Sequence, residues 1–119
     1  MKIKEFMQEN NIVILVEAKI KDEIFHIYKA NMELKTYDLF QQLILYANME
    51  DMVQNVTGQL MPRIWSQGTT KCVICKPSEE KIICVFYDTQ LDVRENYLYA
   101  KSLSDKIDEL FGNTKGLSL

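Results

Sequence analysis

Residues 63–88, RIWSQGTTKCVICKPSEEKIICVFYD, decide what kind of fold this chain makes. Arg63 to Gln67, Lys71 to Lys76 and Lys81 to Asp88 are short runs rich in β-branched, aromatic and cysteine residues. Such side chains suit a pleated, half-buried surface. Gly68-Thr69-Thr70 breaks the first pair of runs and Pro77-Ser78-Glu79-Glu80 the second. Both breaks are turn-like and short enough for hairpins. Hairpin connections make a sheet antiparallel, so the chain reads as α+β rather than as a doubly wound parallel fold.

The pattern changes period on both sides of this meander. Downstream, Asp92-Val93-Arg94-Glu95 fits a capping box, and Val93, Tyr97, Ala100, Leu103, Ile107 and Leu110 follow helical spacing. Gly112 suits the position just past that helix. Upstream, residues 36 to 57 carry the longest helical pattern, with Thr36 or Asp38 as a cap. Phe40, Leu43, Ile44 and Ala47 make one apolar stripe. Leu39, Leu45, Tyr46, Met49, Met52, Val53 and Val56 widen it beyond one face. A helix this apolar must bury more than one side. The second side lies under another element of the chain or at an oligomer interface. A small domain has little room to cover a helix all round, which favours the interface.

Nearer the N-terminus, Ile3, Phe6 and Met7 mark a short amphipathic helix over residues 2 to 10, ending near Asn10-Asn11. The run Ile12 to Val16 is dense and β-branched, as in a central strand buried on both faces. After the polar break Lys19 to Asp22, residues 23 to 29 alternate as a second strand. The element order is helix, hairpin, long helix, three-stranded meander, helix.

Composition agrees with one ordinary globular domain over residues 1–119. The chain has 47% hydrophobic and 26% charged residues, with few glycines and prolines. Disorder is expected only at the last few residues. The net charge of −3 is dispersed, with no basic stripe for nucleic acid and no polybasic membrane anchor. No segment reaches the roughly 18–20 apolar residues that span a bilayer. The N-terminal segment contains acids and is unlike a secretory signal. Three cysteines give no disulfide framework, so a reducing cytoplasm is the simplest home. The sequon-like Asn55-Val56-Thr57 then carries no meaning.

The only motif that suggests chemistry is Cys72-Val73-Ile74-Cys75. Within a strand, residues three apart point to opposite faces, so these thiols cannot chelate one metal or close an easy disulfide. They read as buried packing residues. His26, the single histidine, reads as a sheet-face residue. The acid pairs Asp22-Glu23, Glu50-Asp51, Glu79-Glu80 and Asp108-Glu109 fall at turns or on exposed helix faces. General acid–base work needs an apolar cleft. There is no glycine-rich phosphate loop. No cofactor or metal is expected.

Arg63-Ile64-Trp65 stands apart. Arg and Trp together on a sheet edge are typical of an interface, and exposed edges invite pairing with another chain. The alternative, a Trp folded onto the chain's own long helix, stays open.

With this element order, the chain resembles the roadblock / dynein-light-chain family, whose fold is similar to longin and profilin-like platforms. The likeness is sharpest from RIWSQGTTKCVICKPSEEKIICVFYD through TQLDVRENYLYAKSLSDKIDELF. The first hairpin departs from the family pattern, having Lys19-Ile20-Lys21-Asp22 where a Gly-containing turn is common. The resemblance implies a three-layer α/β/α sandwich. A five-stranded antiparallel sheet would carry the long central helix on one face and the two terminal helices on the other. It implies a homodimer, or a heterodimer with another roadblock-like chain, joined through the third strand and the long helix. That interface would draw on Phe40, Ile44, Tyr46, Met49 and Val53 of the helix and Arg63, Ile64 and Trp65 of the strand. Members of the family are non-enzymatic platforms that regulate small Ras-like GTPases or act as adaptors in motor and signalling complexes. A small acidic dimeric secretion chaperone, holding an extended effector segment, is the alternative reading. A small enzyme or sensor built on His26 is the third.

Overall fold

A computed structural model describes residues 2–57 and 62–112, so the expectation about the final residues lies outside it. Helix α1 (Lys2–Glu9) buries Phe6 and Met7. It ends where Asn11 takes φ 56°. The Ile12 N–H then donates to Met7 C=O and the Asn11 N–H to Gln8 C=O. This is a Schellman end with Asn in the left-handed place glycine usually fills.

Strands β1 (Ile14–Lys19) and β2 (Ile24–Lys29) form the first hairpin, with Val16 opposite Ile27. No glycine serves its turn. Glu23 takes the left-handed conformation instead, at φ 56°. Strands β3 (Arg63–Gln67), β4 (Thr70–Ser78) and β5 (Lys81–Asp88) form the meander. Gly68 at φ 62° starts a two-residue loop, the place a type II′ turn reserves for glycine. Between Cys75 and Ser78 the β4–β5 register slips. Pro77 lies in that slip, where a residue with no N–H does least harm to the ladder. All pairings are antiparallel, in the order β2-β1-β5-β4-β3.

Each face of this sheet holds its own core. On one face Ile14, Val16, Ala18, Cys72, Ile74, Ile82, Cys84 and Phe86 pack under the middle helical segments. On the other, Leu15, Val73, Cys75, Ile83, Val85 and Tyr87 pack under α1 and α4 (Val93–Ile107). The strand pleat produces this division, because neighbours along β1, β4 and β5 go to opposite sides. The result is the expected α+β sandwich of three layers, with the terminal helices on one face.

The middle layer departs from expectation. In place of one helix over 36 to 57, the chain makes α2 (Asp38–Phe40), a π-helical turn (Gln41–Leu45) and, after a break, α3 (Met49–Val56). The cause is a second start signal inside the periodic run. Asn48, in extended conformation, accepts from the Asp51 N–H at 2.8 Å, and the Asp51 carboxylate accepts from the Asn48 N–H at 3.4 Å. This capping box satisfies backbone donors that an unbroken helix would have bonded internally. Just before it, the Tyr46 N–H reaches five residues back to Gln41 C=O at 2.8 Å. The wider turn shifts the helical phase, keeping Ile44 in the core and turning Leu45 and Tyr46 outward. Asn48→Ala is expected to lower stability by about 1 kcal/mol, read by urea unfolding, without changing the sheet.

Neither Thr36 nor Asp38 caps α2. Tyr37 precedes the helix with no side-chain cap, and the Thr36 N–H donates to Thr70 Oγ1 at 3.1 Å. Asp88 ties this approach down. It accepts from the Lys35 N–H at 2.9 Å and from the hydroxyls of Thr69 and Thr70.

Helix α4 starts at the expected capping box, with the Glu95 N–H donating to Asp92 Oδ1 at 2.8 Å and the Asp92 N–H to Glu95 Oε1 at 3.2 Å. Its buried stripe is Asn96, Ala100, Leu103 and Ile107. Val93 and Tyr97 are exposed, against the spacing-based expectation. The reason is polar. Asn96 accepts from the Tyr87 hydroxyl at 2.7 Å, and the Tyr99 hydroxyl donates to Asn10 C=O. These bonds rotate the helix so that buried hydroxyls find partners. The helix runs into a π turn, Asp108–Gly112, so Gly112 lies within it rather than past its end.

Candidate functional site

The sheet separates the two cysteines of the CVIC stretch. Cys72 joins the core under α2 and α3, while Cys75 joins the core under α1 and α4. All three thiols are buried and unpaired by disulfides. Burial pushes the Cys72 thiol well above its ordinary range, helped by neighbouring Cys84. Burial also pushes Cys75 up to about 12, against a lowering hydrogen bond with Ser104. Thiolate is the reactive form, so these groups are inert at neutral pH. The native protein is expected to show no reaction with a chromogenic disulfide reagent, while the urea-unfolded chain reacts at all three. Rapid labelling of the native protein would contradict this burial.

His26 sits exposed on β2, opposite Glu17, with no nucleophile paired to it among the described residues. The four acid pairs all lie at exposed positions. The Asp108 carboxyl is raised, first by partial desolvation and then by Asp105. Glu17 is buried but bridged to Lys81 at 3.0 Å, a structural pair on the terminal-helix face. Among the described residues no group of three metal-ligating side chains comes together. No helix among them is long and apolar enough to cross a membrane. Clefts of about 610 and 460 Å³ flank the segment 30–32, between β2 and α1 or α2. Lys29 reaches over the Tyr37 and Phe40 rings there, at 5.8 and 5.9 Å.

What remains is an edge. Strand β3 ends the sheet and pairs only with β4 among the described residues. Residues 63, 65 and 67 share the face that carries α2 and α3, since Trp65 lies opposite Cys72. The Arg63 guanidinium stacks over the Trp65 ring at 5.1 Å. Trp65 therefore folds partly onto its own helical layer and partly forms the edge. The reading of a Trp folded onto the chain's own helical layer holds in part. Two polar atoms on this strand, Trp65 Nε1 and Gln67 Oε1, are shielded from solvent without a hydrogen-bond partner among the described residues. Such atoms cost free energy until paired.

The expected interface residues divide sharply. Phe40, Ile44 and Met49 are buried in the chain's own core and present no surface. Tyr46 is 73% exposed, and Val53 is partly buried over the same core. Arg63, Ile64 and Trp65 are half-buried at the edge, with Ile64 on the terminal-helix face. Sequence reasoning did not single out Gln67. Its signal was available in the period-2 spacing that puts it beside Trp65. Leu45, half exposed next to Tyr46, belongs with the accessible set.

Scans against protein-family models and against curated proteins find no match. The solved structures give a consistent answer. The gliding protein MglB of Thermus thermophilus superposes with a TM-score of 0.57 at 12% identity, over 89% of this chain and 82% of that one. MglC of Myxococcus xanthus gives 0.54 at 11%, over 93% and 100%. These are roadblock-domain proteins. The chain has the roadblock fold. An MglB with tetrameric arrangement gives 0.55 at 9%, over 89% and 82%. At such identities the shared property is the fold itself.

Proposed function

We propose that the chain is a non-enzymatic, dimeric interaction platform that engages a small Ras-like GTPase or a larger assembly containing one. The observation that carries this reading is the roadblock fold with its third strand open at the sheet edge. Arg63, Trp65 and two unpartnered polar atoms mark that edge. The outward turn of Leu45 and Tyr46 adds an apolar surface on the α2–α3 layer. Aromatic and Arg anchors of this kind dominate association energies. The MglB neighbour described in a tetrameric arrangement supports self-association of the fold.

Titration calorimetry against the small GTPases of the protein's own source tests the partner, each loaded with GDP or a GTP analogue. The expected result is binding that prefers one nucleotide state. Absence of heat with every GTPase in both states would remove that partner. Binding of an extended effector peptide instead would favour the chaperone reading.

A further inference from the structure

The sheet has a second open edge. Strand β2 stands at the end of the sheet opposite β3 and pairs only with β1 among the described residues. Its backbone phase is fixed by the Ala30 N–H, which donates to Val13 C=O at 2.8 Å. Hydrogen bonding in an antiparallel ladder alternates, so Tyr28, His26 and Ile24 also bond toward β1. The N–H and C=O groups of Phe25, Ile27 and Lys29 therefore point to the open side. Little blunts this edge. It has no proline and no bulge, and Ile24 and Ile27 are 44% and 39% exposed.

What would cover the edge follows from what each position requires. In an antiparallel pair, residues directly opposite share a face and interact through their side chains. Lys29 reaches over the Tyr37 and Phe40 rings and makes no ion pair among the described residues, so the residue against it should be acidic. Along the same neighbour, the positions against Tyr28, Ile27, Phe25 and Ile24 call for apolar or aromatic side chains. The position against His26 calls for a polar one. Acid, apolar, apolar, polar, apolar, apolar is the order of this chain's own residues from Glu23 to Tyr28. Glu23 is exposed at the end of the hairpin turn and also makes no ion pair among the described residues. Other two-fold registers fit worse. An axis at Phe25 sets Lys21 against Lys29, and an axis at Ile27 sets Lys29 against Phe25 and Glu23 against Asn31.

We propose that β2 is a second self-association edge, on which two copies pair antiparallel with His26 facing His26 of the partner subunit. Phe25 of each copy then exchanges both backbone hydrogen bonds with Ile27 of the partner subunit. Ile24 covers the partner's Tyr28, and Glu23 pairs with the partner's Lys29. At the axis one imidazole can donate to the other. The contact is isologous and lies at the far end of the sheet from β3, so it does not depend on the dimer reading above. It would join such dimers into a longer assembly. With only two ladder pairs it is a weak contact that fills as concentration rises.

Cysteine cross-linking and charge exchange test it together. His26 is exposed, so His26→Cys leaves the fold intact, and the native thiols are buried. Facing residues of a non-hydrogen-bonded pair lie about 4.5 Å apart at Cα, within disulfide range. The Ser66→Asp background holds copies apart at β3, so coupling there reports on β2. Oxidised glutathione is expected to convert His26→Cys, at high protein concentration, to a covalent dimer. Adding Glu23→Lys, or adding Lys29→Glu, should weaken this association roughly tenfold, because like charges then face each other at both ends. Mixing those two variants should restore coupling between them, since each supplies the charge the other lacks. Coupling of either variant with itself as readily as with the other would overturn the register. Failure of His26→Cys to couple at any concentration would overturn the self-pairing. That failure would leave the dimer reading, which concerns β3, to its own test.

Discussion

Phe40→Ala is expected to lower the unfolding free energy by about 3–5 kcal/mol, the usual loss for truncating a buried Phe. Phe40 is 1% exposed. Its ring meets Phe86 of the central strand β5 edge-on at 5.3 Å, and Tyr37 at 5.1 Å. With Leu39 and Ile44 it links the α2 turn to the core on this face of the sheet. Removing it leaves a void that the short α2–π segment cannot fill without moving Ile44. In a domain whose total stability is about 5–15 kcal/mol, such a loss removes a large share. The melting temperature should fall on the order of 10–20 °C, followed by circular dichroism. Phe40→Leu, which keeps much of the volume, should cost far less. A loss below about 1 kcal/mol for the alanine variant would show that this layer is not packed as described.

In the proposed association through β3, Ser66→Asp should separate the copies while leaving each protomer folded. Ser66 is exposed and contributes nothing to either core. Its backbone groups face the open edge of β3, so association along that edge would bring a carboxylate from each copy to the seam. Like charges placed directly opposite at an interface cost several kcal/mol. The dissociation constant should rise on the order of a hundredfold, with the far-ultraviolet spectrum unchanged. Ser66→Ala, which adds no charge, should leave association near its original strength. If Ser66→Asp dimerises as well as the parent, β3 is not the joining edge.

The meander was readable because its signals agree. Strand composition, the Gly68 turn and the Asp92–Glu95 capping box all point the same way, and the structure places each of them there. The division of Cys72 and Cys75 between two cores followed from the pleat alone. The middle helix was misread because apolar periodicity ran unbroken through a capping signal. Asn48 and Asp51 outweigh the stripe around them, and a π turn alters its phase. Hence the residues that widened the stripe divide between core and surface. Phe40, Ile44 and Met49 go inward, while Leu45 and Tyr46 go outward. The rotation of α4 that buries Asn96 in place of Val93 and Tyr97 was hidden for a related reason. It depends on hydrogen bonds to Tyr87 and Asn10, distant in sequence, which no local pattern records. Within the candidate site, Arg63 and Trp65 were visible as an unusual pair on an edge. Gln67 became meaningful only when its carbonyl proved shielded and unpartnered.

The most direct measurement is the mass of the protein in solution by sedimentation equilibrium at micromolar concentration. Association through β3 predicts twice the 14.0 kDa chain mass, shifting toward the single-chain value on dilution or on Ser66→Asp. A mass of 14.0 kDa at every concentration would contradict it.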